Sequence, residues 1–357
     1  MAKENPRNDE ISIPIIDSHI HLYPSTELDD IAWFSTSSPL HQQQSIDQYV
    51  SATKSIPPHL SHAGFIFLEV DRKHDLSALG PDDNYSGWEM PLKEVEFAKR
   101  VALGIPLTGE GHSAAQAKLC RAIIPWAPVP CGEHVLDQYL IQVKKHAGES
   151  FSKIRGFRYL VHDKPRGVML GDDFIKGLKW LGRNKFAFDL GIDQNRRGKW
   201  QLEEAVEMIE KAHEGVDPQD KVRIIINHLC KPNFSIYNQS DPVFVAWRTA
   251  MFKLSKCCNT YMKLSGGFSE MSNTLKAAPV DEIFDAVQPY LAVTLATFGP
   301  SRIMFGSDWP VCTVGVNDAW SKWLLIVQRF CSLASLKPEE KMMIWSGTAI
   351  KAYGLNK

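Results

Sequence analysis

Ile11-Ser12-Ile13-Pro14-Ile15-Ile16-Asp17-Ser18-His19-Ile20-His21 is an apolar, β-branched run that closes on two histidines. Its composition predicts a buried strand over 13–19. Alternate side chains of a strand share a face, so Asp17, His19 and His21 are expected to point the same way. Two imidazoles at that spacing can hold one divalent cation, or present two N–H donors to one oxygen. A pair of surface histidines after an ordinary strand would be spelled the same way. Residues further along the chain decide between these readings.

Seven further apolar runs predict strands at 64–70, 121–127, 154–160, 186–191, 222–228, 261–265 and 302–307. Amphipathic stretches alternate with them, at 92–103, 133–145, 173–181, 201–213, 242–257, 281–295 and 318–331. A last helix, 339–353, runs into Gly354, a suitable C-terminal cap. Alternation of this kind implies an α/β protein with a parallel sheet, and eight repeats suit a closed (β/α)8 TIM barrel. An open doubly wound sheet is the alternative, but no Gly-rich dinucleotide turn follows the first strand. No linker or repeat divides the chain, so 1–357 reads as one domain. The stretch 71–119, with Gly80-Pro81-Asp82-Asp83-Asn84 and Gly111, is long for a simple connection. It reads as an elaborated loop over the barrel mouth, either a binding loop or lid or a plain surface insertion.

Composition narrows the function. Of 357 residues, 44% are hydrophobic and 23% charged, with a formal net charge of −1. Such a balance gives no field to recruit nucleic acid or an anionic membrane. Met1 to Glu10 lacks the apolar core of a signal peptide, and no apolar run is long enough to span a bilayer. The seven cysteines show no CxxC spacing, and Leu355-Asn356-Lys357 is not a peroxisomal address. Free thiols in a reducing cytoplasm are expected, with a small-molecule substrate as partner; self-association is left open.

In a barrel, groups at the C-terminal ends of the strands converge on one mouth. The predicted ends supply His19 and His21, then Glu69 and Asp71, then Arg155, Arg158 and His162, then Asp189 and Asp193. They continue with Asn227-His228, Lys263 and Ser265, and Gly306-Ser307-Asp308-Trp309-Pro310. Asp308 can hold a metal, orient a water and accept its proton, although a turn-capping aspartate before Pro310 reads alike. His228 alone would pass for a core histidine, but His19, His21, His228 and Asp308 all fall at strand ends of one topology. Arg155, Arg158 and Lys263 are candidates to bind substrate oxygens, with Trp33, Trp126 and Trp309 as stacking surfaces. Salt bridges and core packing are the ordinary uses of the same residue types.

Asp17-Ser18-His19-Ile20-His21, Asn227-His228-Leu229-Cys230-Lys231-Pro232 and Phe305-Gly306-Ser307-Asp308-Trp309-Pro310-Val311 together resemble the amidohydrolase superfamily. More narrowly they are similar to its amidohydrolase-2 branch of sugar-acid and 2-pyrone-4,6-dicarboxylate lactonases. The phrases beginning at Pro14 and at Trp126 resemble fungal members that open L-rhamnono-1,4-lactone. The resemblance implies a (β/α)8 barrel, with His19 and His21 as the first-strand pair, His228 from strand six and Asp308 from strand eight. It implies hydrolysis of a sugar-acid lactone, with Asp308 and His228 catalytic. A metal set of His19, His21, Asp308 and Glu69 would hold one divalent ion, zinc first among candidates, and a metal-free route stays open. Strand four offers no bridging lysine and strand five no histidine, which disfavours a two-metal centre. The competing activity is a metal-dependent non-oxidative decarboxylase on the same barrel.

Overall fold

The computed structural model describes residues 12–78, 80 and 85–355. The expectations on Met1–Glu10, on Pro81 to Asn84 and on the last two residues lie outside these. The eight strands are β1 (Ile13–Ile20), β2 (Leu60–Leu68), β3 (Cys120–Ile124), β4 (Gly156–Arg158), β5 (Ala187–Leu190), β6 (Arg223–Ile226), β7 (Thr260–Leu264) and β8 (Ile303–Phe305). Neighbours pair in parallel, in runs β1-β2-β3 and β4-β5-β6-β7-β8. Parallel bridges Ile123–Ile154 and Trp126–Arg158 join β3 to β4, and Ile20–Trp309 joins β1 to the end of β8. The amides of His21 and Asp308 complete that last seam, donating to the carbonyls of Trp309 and His19 at 2.8 and 2.9 Å. The sheet is therefore a closed barrel. Its strands are apolar almost throughout because helices cover their outer faces and side chains fill the inside.

The barrel interior contains Ile16, Ile66, Leu68, Ala122, Ile124, Ala187, Ile225, Tyr261 and Met304, packed against Ala349, Ala352, Tyr353 and Leu355 of the C-terminal segment. The expected last helix is not continuous. It runs as Pro338–Met342, a π-turn Met343–Gly347, then Thr348–Tyr353, with Gly354 capping it at φ +61°. The π-turn adds a residue to one turn and so rotates the apolar face that follows. That face is the one that stops the lower end of the barrel.

The 71–119 connection is pinned rather than free. Its helix Glu89–Leu103 packs on the barrel, and fully buried Arg72 anchors its start. Arg72 meets Glu27 at 2.8 Å, Asp30 at 3.3 Å and Glu94 at 3.5 Å. Arg100 adds Glu110 at 2.6 Å and Glu27 at 3.7 Å. Burial pushes the Glu94 carboxyl up to about 8, with Arg72 pulling the other way.

Candidate active site

β1 does not keep one face to its end. Its register against β2 slips between Asp17 and Ile20, so the expectation that Asp17 shares a face with His19 and His21 fails. Asp17 turns outward instead. It accepts hydrogen bonds from Tyr49 Oη at 3.0 Å, Trp320 Nε1 at 2.9 Å, the Ser307 amide at 2.8 Å and the His19 amide at 3.3 Å. This carboxylate stitches β1 to the residue before Asp308, while the slip aims both histidines at the barrel axis.

Three imidazoles converge on one carboxylate oxygen. Nε2 of His19, His21 and His228 lie 3.5, 3.6 and 3.7 Å from Asp308 Oδ1. Nε2 of His19 and His21 are 3.2 Å apart. The ligand atoms of His19, His21 and Asp308 all lie within 4.8 Å of one another, and among the described residues they form the one such group of three. Two imidazole nitrogens and a carboxylate oxygen facing a common point fit a single zinc-type ion. Glu69 stands apart from that group. It faces Arg158 Nε at 3.3 Å and accepts from the Asp71 amide.

Electrostatics separate the charge states. Burial, with Lys263 and His228 beside it, drives the His19 imidazole well below its ordinary value. Burial pushes His228 down to about 3, against the pull of Asp308. Burial also opposes the Asp308 carboxylate, yet His228, His21 and Lys231 outweigh it and hold that carboxyl below its usual value. At neutral pH the site is thus a carboxylate at Asp308 facing neutral rings at His19 and His228.

The backbone at these strand ends is strained. His228, Leu229, Cys230 and Lys231 run consecutively at φ +55°, +54°, +62° and +48°, and Asp308 sits at +63°. Such conformations cost non-glycine residues roughly 1–3 kcal/mol each and gather at functional sites. Gly266 makes room for the turn. A Cβ there would lie 2.3 Å from His228 Nδ1.

Above the convergence point is a cavity of about 400 Å³, lined by His21, Glu69, Asp71, Arg158, Lys231 and Asp308 among others. Trp33, Leu160 and Val311 supply its apolar wall, and the Arg196–Glu270 ion pair also lines it. Within 71–119 the described lining of this cavity is Asp71 alone. A groove of about 890 Å³ between the helices Lys199–His213 and Pro242–Ser255 contains none of these strand-end groups.

Of the anticipated substrate-binding residues, Arg158 and Trp33 line the cavity. Arg155 precedes the first residue of β4 and so sits at the opposite end of the barrel. Trp126 is packed among His74, Tyr139 and Tyr159, and Trp309 against Tyr49. Lys263 is fully buried below His19. Lys231 was legible only inside its motif, and nothing in the sequence marks Glu270 or Arg196 as cavity-lining residues.

The amidohydrolase family profile matches residues 121–355. The chain belongs to this amidohydrolase family. It is 32% identical over 349 residues to an L-rhamnono-gamma-lactonase of Scheffersomyces stipitis, spanning 96% of this chain and 98% of that one. An L-fucono-1,5-lactonase of Burkholderia multivorans is 28% identical over 57% of this chain and 64% of its own. A Burkholderia multivorans amidohydrolase crystallised with bound zinc shares the fold, with a TM-score of 0.67 at 22% identity, over 96% of this chain and 99% of that one. In this amidohydrolase, β5 ends in Asp189-Leu190 and presents no histidine to the mouth, as expected from the sequence.

Proposed function

We propose that this amidohydrolase opens a sugar-acid lactone, L-rhamnono-1,4-lactone or a near relative, to the open-chain acid. The observation that carries this reading is the convergence of three imidazole Nε2 atoms on Asp308 Oδ1 at the floor of a cavity sized for a small sugar. The full-length likeness to an L-rhamnono-gamma-lactonase supports it.

A lactone is an internal ester, so hydrolysis needs an activated water, a stabilised oxyanion and a proton for the departing ring oxygen. Asp308, held as a carboxylate, takes a proton from water as the water oxygen attacks the carbonyl carbon. The carbonyl oxygen becomes an oxyanion facing imidazole N–H donors, for which neutral rings suffice. As the acyl–oxygen bond breaks, Asp308 returns the proton to the ring oxygen, which leaves as a hydroxyl. His228 is oriented through Nδ1, 2.9 Å from Ser265 Oγ. His19, His21 and Asp308 would hold a divalent ion, which when bound supplies Lewis-acid polarisation and a more acidic water. Lys231 and Arg158 face the substrate's hydroxyls, and Trp33, Leu160 and Val311 its apolar edge.

The seven cysteines are all free, which supports placing the reaction in a reducing cytoplasm. No helix among the described residues is long and apolar enough to cross a membrane.

Acid release from a panel of aldonolactones, followed by pH indicator on protein as purified, after chelation and after zinc is restored, tests the reading. Turnover of a 1,4-lactone is expected, and its response to chelation reports the ion's share. No acid from any lactone, with carbon dioxide evolved from carboxylated substrates, would replace the lactonase by the decarboxylase. Gly266→Ala is expected to displace the His228 ring and lower kcat about a hundredfold, the effect typical of an ångström-scale misplacement. An unchanged kcat would show that the ring position is unimportant. Lys231→Met should raise KM about tenfold or more while leaving kcat within a few fold, since it removes one charge-assisted hydrogen bond. Parallel substrate-saturation curves for the two proteins decide that point.

A further inference from the structure

Beneath the mouth runs a fully buried polar column that the hydrolytic steps do not use. Tyr353, on the helix that stops the lower end of the barrel, donates its hydroxyl to Asp189 Oδ2 at 2.7 Å. Asp189 Oδ1 accepts from Lys263 Nζ at 2.5 Å, and Lys263 Nζ lies 3.2 Å from His19 Nδ1. Tyr353, Asp189 and Lys263 are each without exposure, and the Tyr353 ring also lies 5.5 Å from Lys263 Nζ.

An ammonium group donates and never accepts. Paired with Asp189, Lys263 therefore leaves His19 Nδ1 the role of acceptor, and the neutral ring carries its hydrogen on Nε2. His21 is set the opposite way. Its Nδ1 faces the carbonyl oxygens of Leu68 and Glu69 at 3.1 and 3.0 Å, so that nitrogen carries the hydrogen and Nε2 keeps a free lone pair. The 3.2 Å contact between the two Nε2 atoms then has a donor on His19 and an acceptor on His21. The two assignments, made from different partners, agree.

Histidines that ligate a metal normally donate their other N–H to a carbonyl or carboxylate. His21 meets that condition and His19 does not. We infer that Lys263, anchored by Asp189 and Tyr353, is a positioning residue that fixes His19 as an Nε2–H donor toward the reacting oxygen. It thereby divides the roles of the His-X-His pair and holds down the site's affinity for a divalent ion. The inference rests on reading His19, His21 and Asp308 as the site, but not on which lactone is opened.

Zinc affinity, measured by competition with a chromophoric chelator, tests this without any turnover. The comparison is between wild type and Lys263→Met/Asp189→Asn, which removes both buried charges together. The double variant is expected to bind zinc at least tenfold more tightly than wild type, and His21→Asn to lose zinc in either background. A folded double variant that binds zinc no more tightly overturns the inference. Should that variant fail to fold, histidine ¹⁵N spectra of the wild-type chain, with His19 assigned by its loss in His19→Asn, decide alone. A protonated Nε2 and bare Nδ1 on His19 support the assignment, and the reverse pattern overturns it. Absence of lactonase activity alongside the expected zinc and ¹⁵N results would reject the proposed substrate and leave the division of roles standing.

Discussion

Asp308→Asn is expected to lower lactone turnover by about a thousandfold or more while leaving the fold intact. The loss follows from the base itself. A positioned general base contributes roughly 10²–10⁴-fold, and here the same group also returns the proton to the leaving oxygen. Asparagine keeps the shape of the side chain but cannot take a proton from water. Its neutral amide would also remove the negative charge from the oxygen position on which the three imidazole Nε2 atoms converge, within 3.7 Å. Steady-state kinetics with circular dichroism and thermal melting on the same sample check it. A variant with a native melt and near-normal kcat would remove Asp308 from the role assigned to it.

Arg72→Met is expected to have the largest effect on stability, roughly 3–5 kcal/mol, because it leaves buried acids without their cation. Glu27 and Glu94 are both deeply buried, and Arg72 is the cation that each meets within 3.5 Å. Replacing the partner as well should recover part of the loss, so Arg72→Met/Glu94→Gln is expected to be more stable than Arg72→Met alone. Thermal midpoints are the measurement, with a fall of about 10 °C for the single variant. A midpoint within 2 °C of wild type, on roughly the same scale, would show that the network does not hold the 71–119 segment to the barrel.

Much of the barrel was legible because its strands are short apolar runs buried on both faces, the pattern that most plainly distinguishes parallel strands. The ends of β1 to β8 fall within a few residues of the expected ones, so the sequence alone brings His19, His21, His228 and Asp308 to one mouth. What escaped was set by tertiary contacts. The register slip after Asp17 turns one carboxylate out of a line that period-two alternation places on one face. The run from His228 to Lys231 at positive φ is spelled with residues that do not ordinarily adopt it, and only the surrounding packing enforces it. Trp126 and Trp309 are as suited to a sugar face as to a core, and their neighbours decided for the core. Lys263 read as a candidate for substrate because it ends a strand. Its side chain points down the barrel to Asp189, a partner 74 residues away in sequence.

Water, activated at Asp308, is expected to add to the lactone carbonyl. Conversion of L-rhamnono-1,4-lactone by the wild-type protein in ¹⁸O-enriched water, with the product read by mass spectrometry, tests it most directly. The expected product is the open-chain acid with one ¹⁸O in its carboxylate and none in the released hydroxyl. No acid, or label in the hydroxyl instead of the carboxylate, would contradict it.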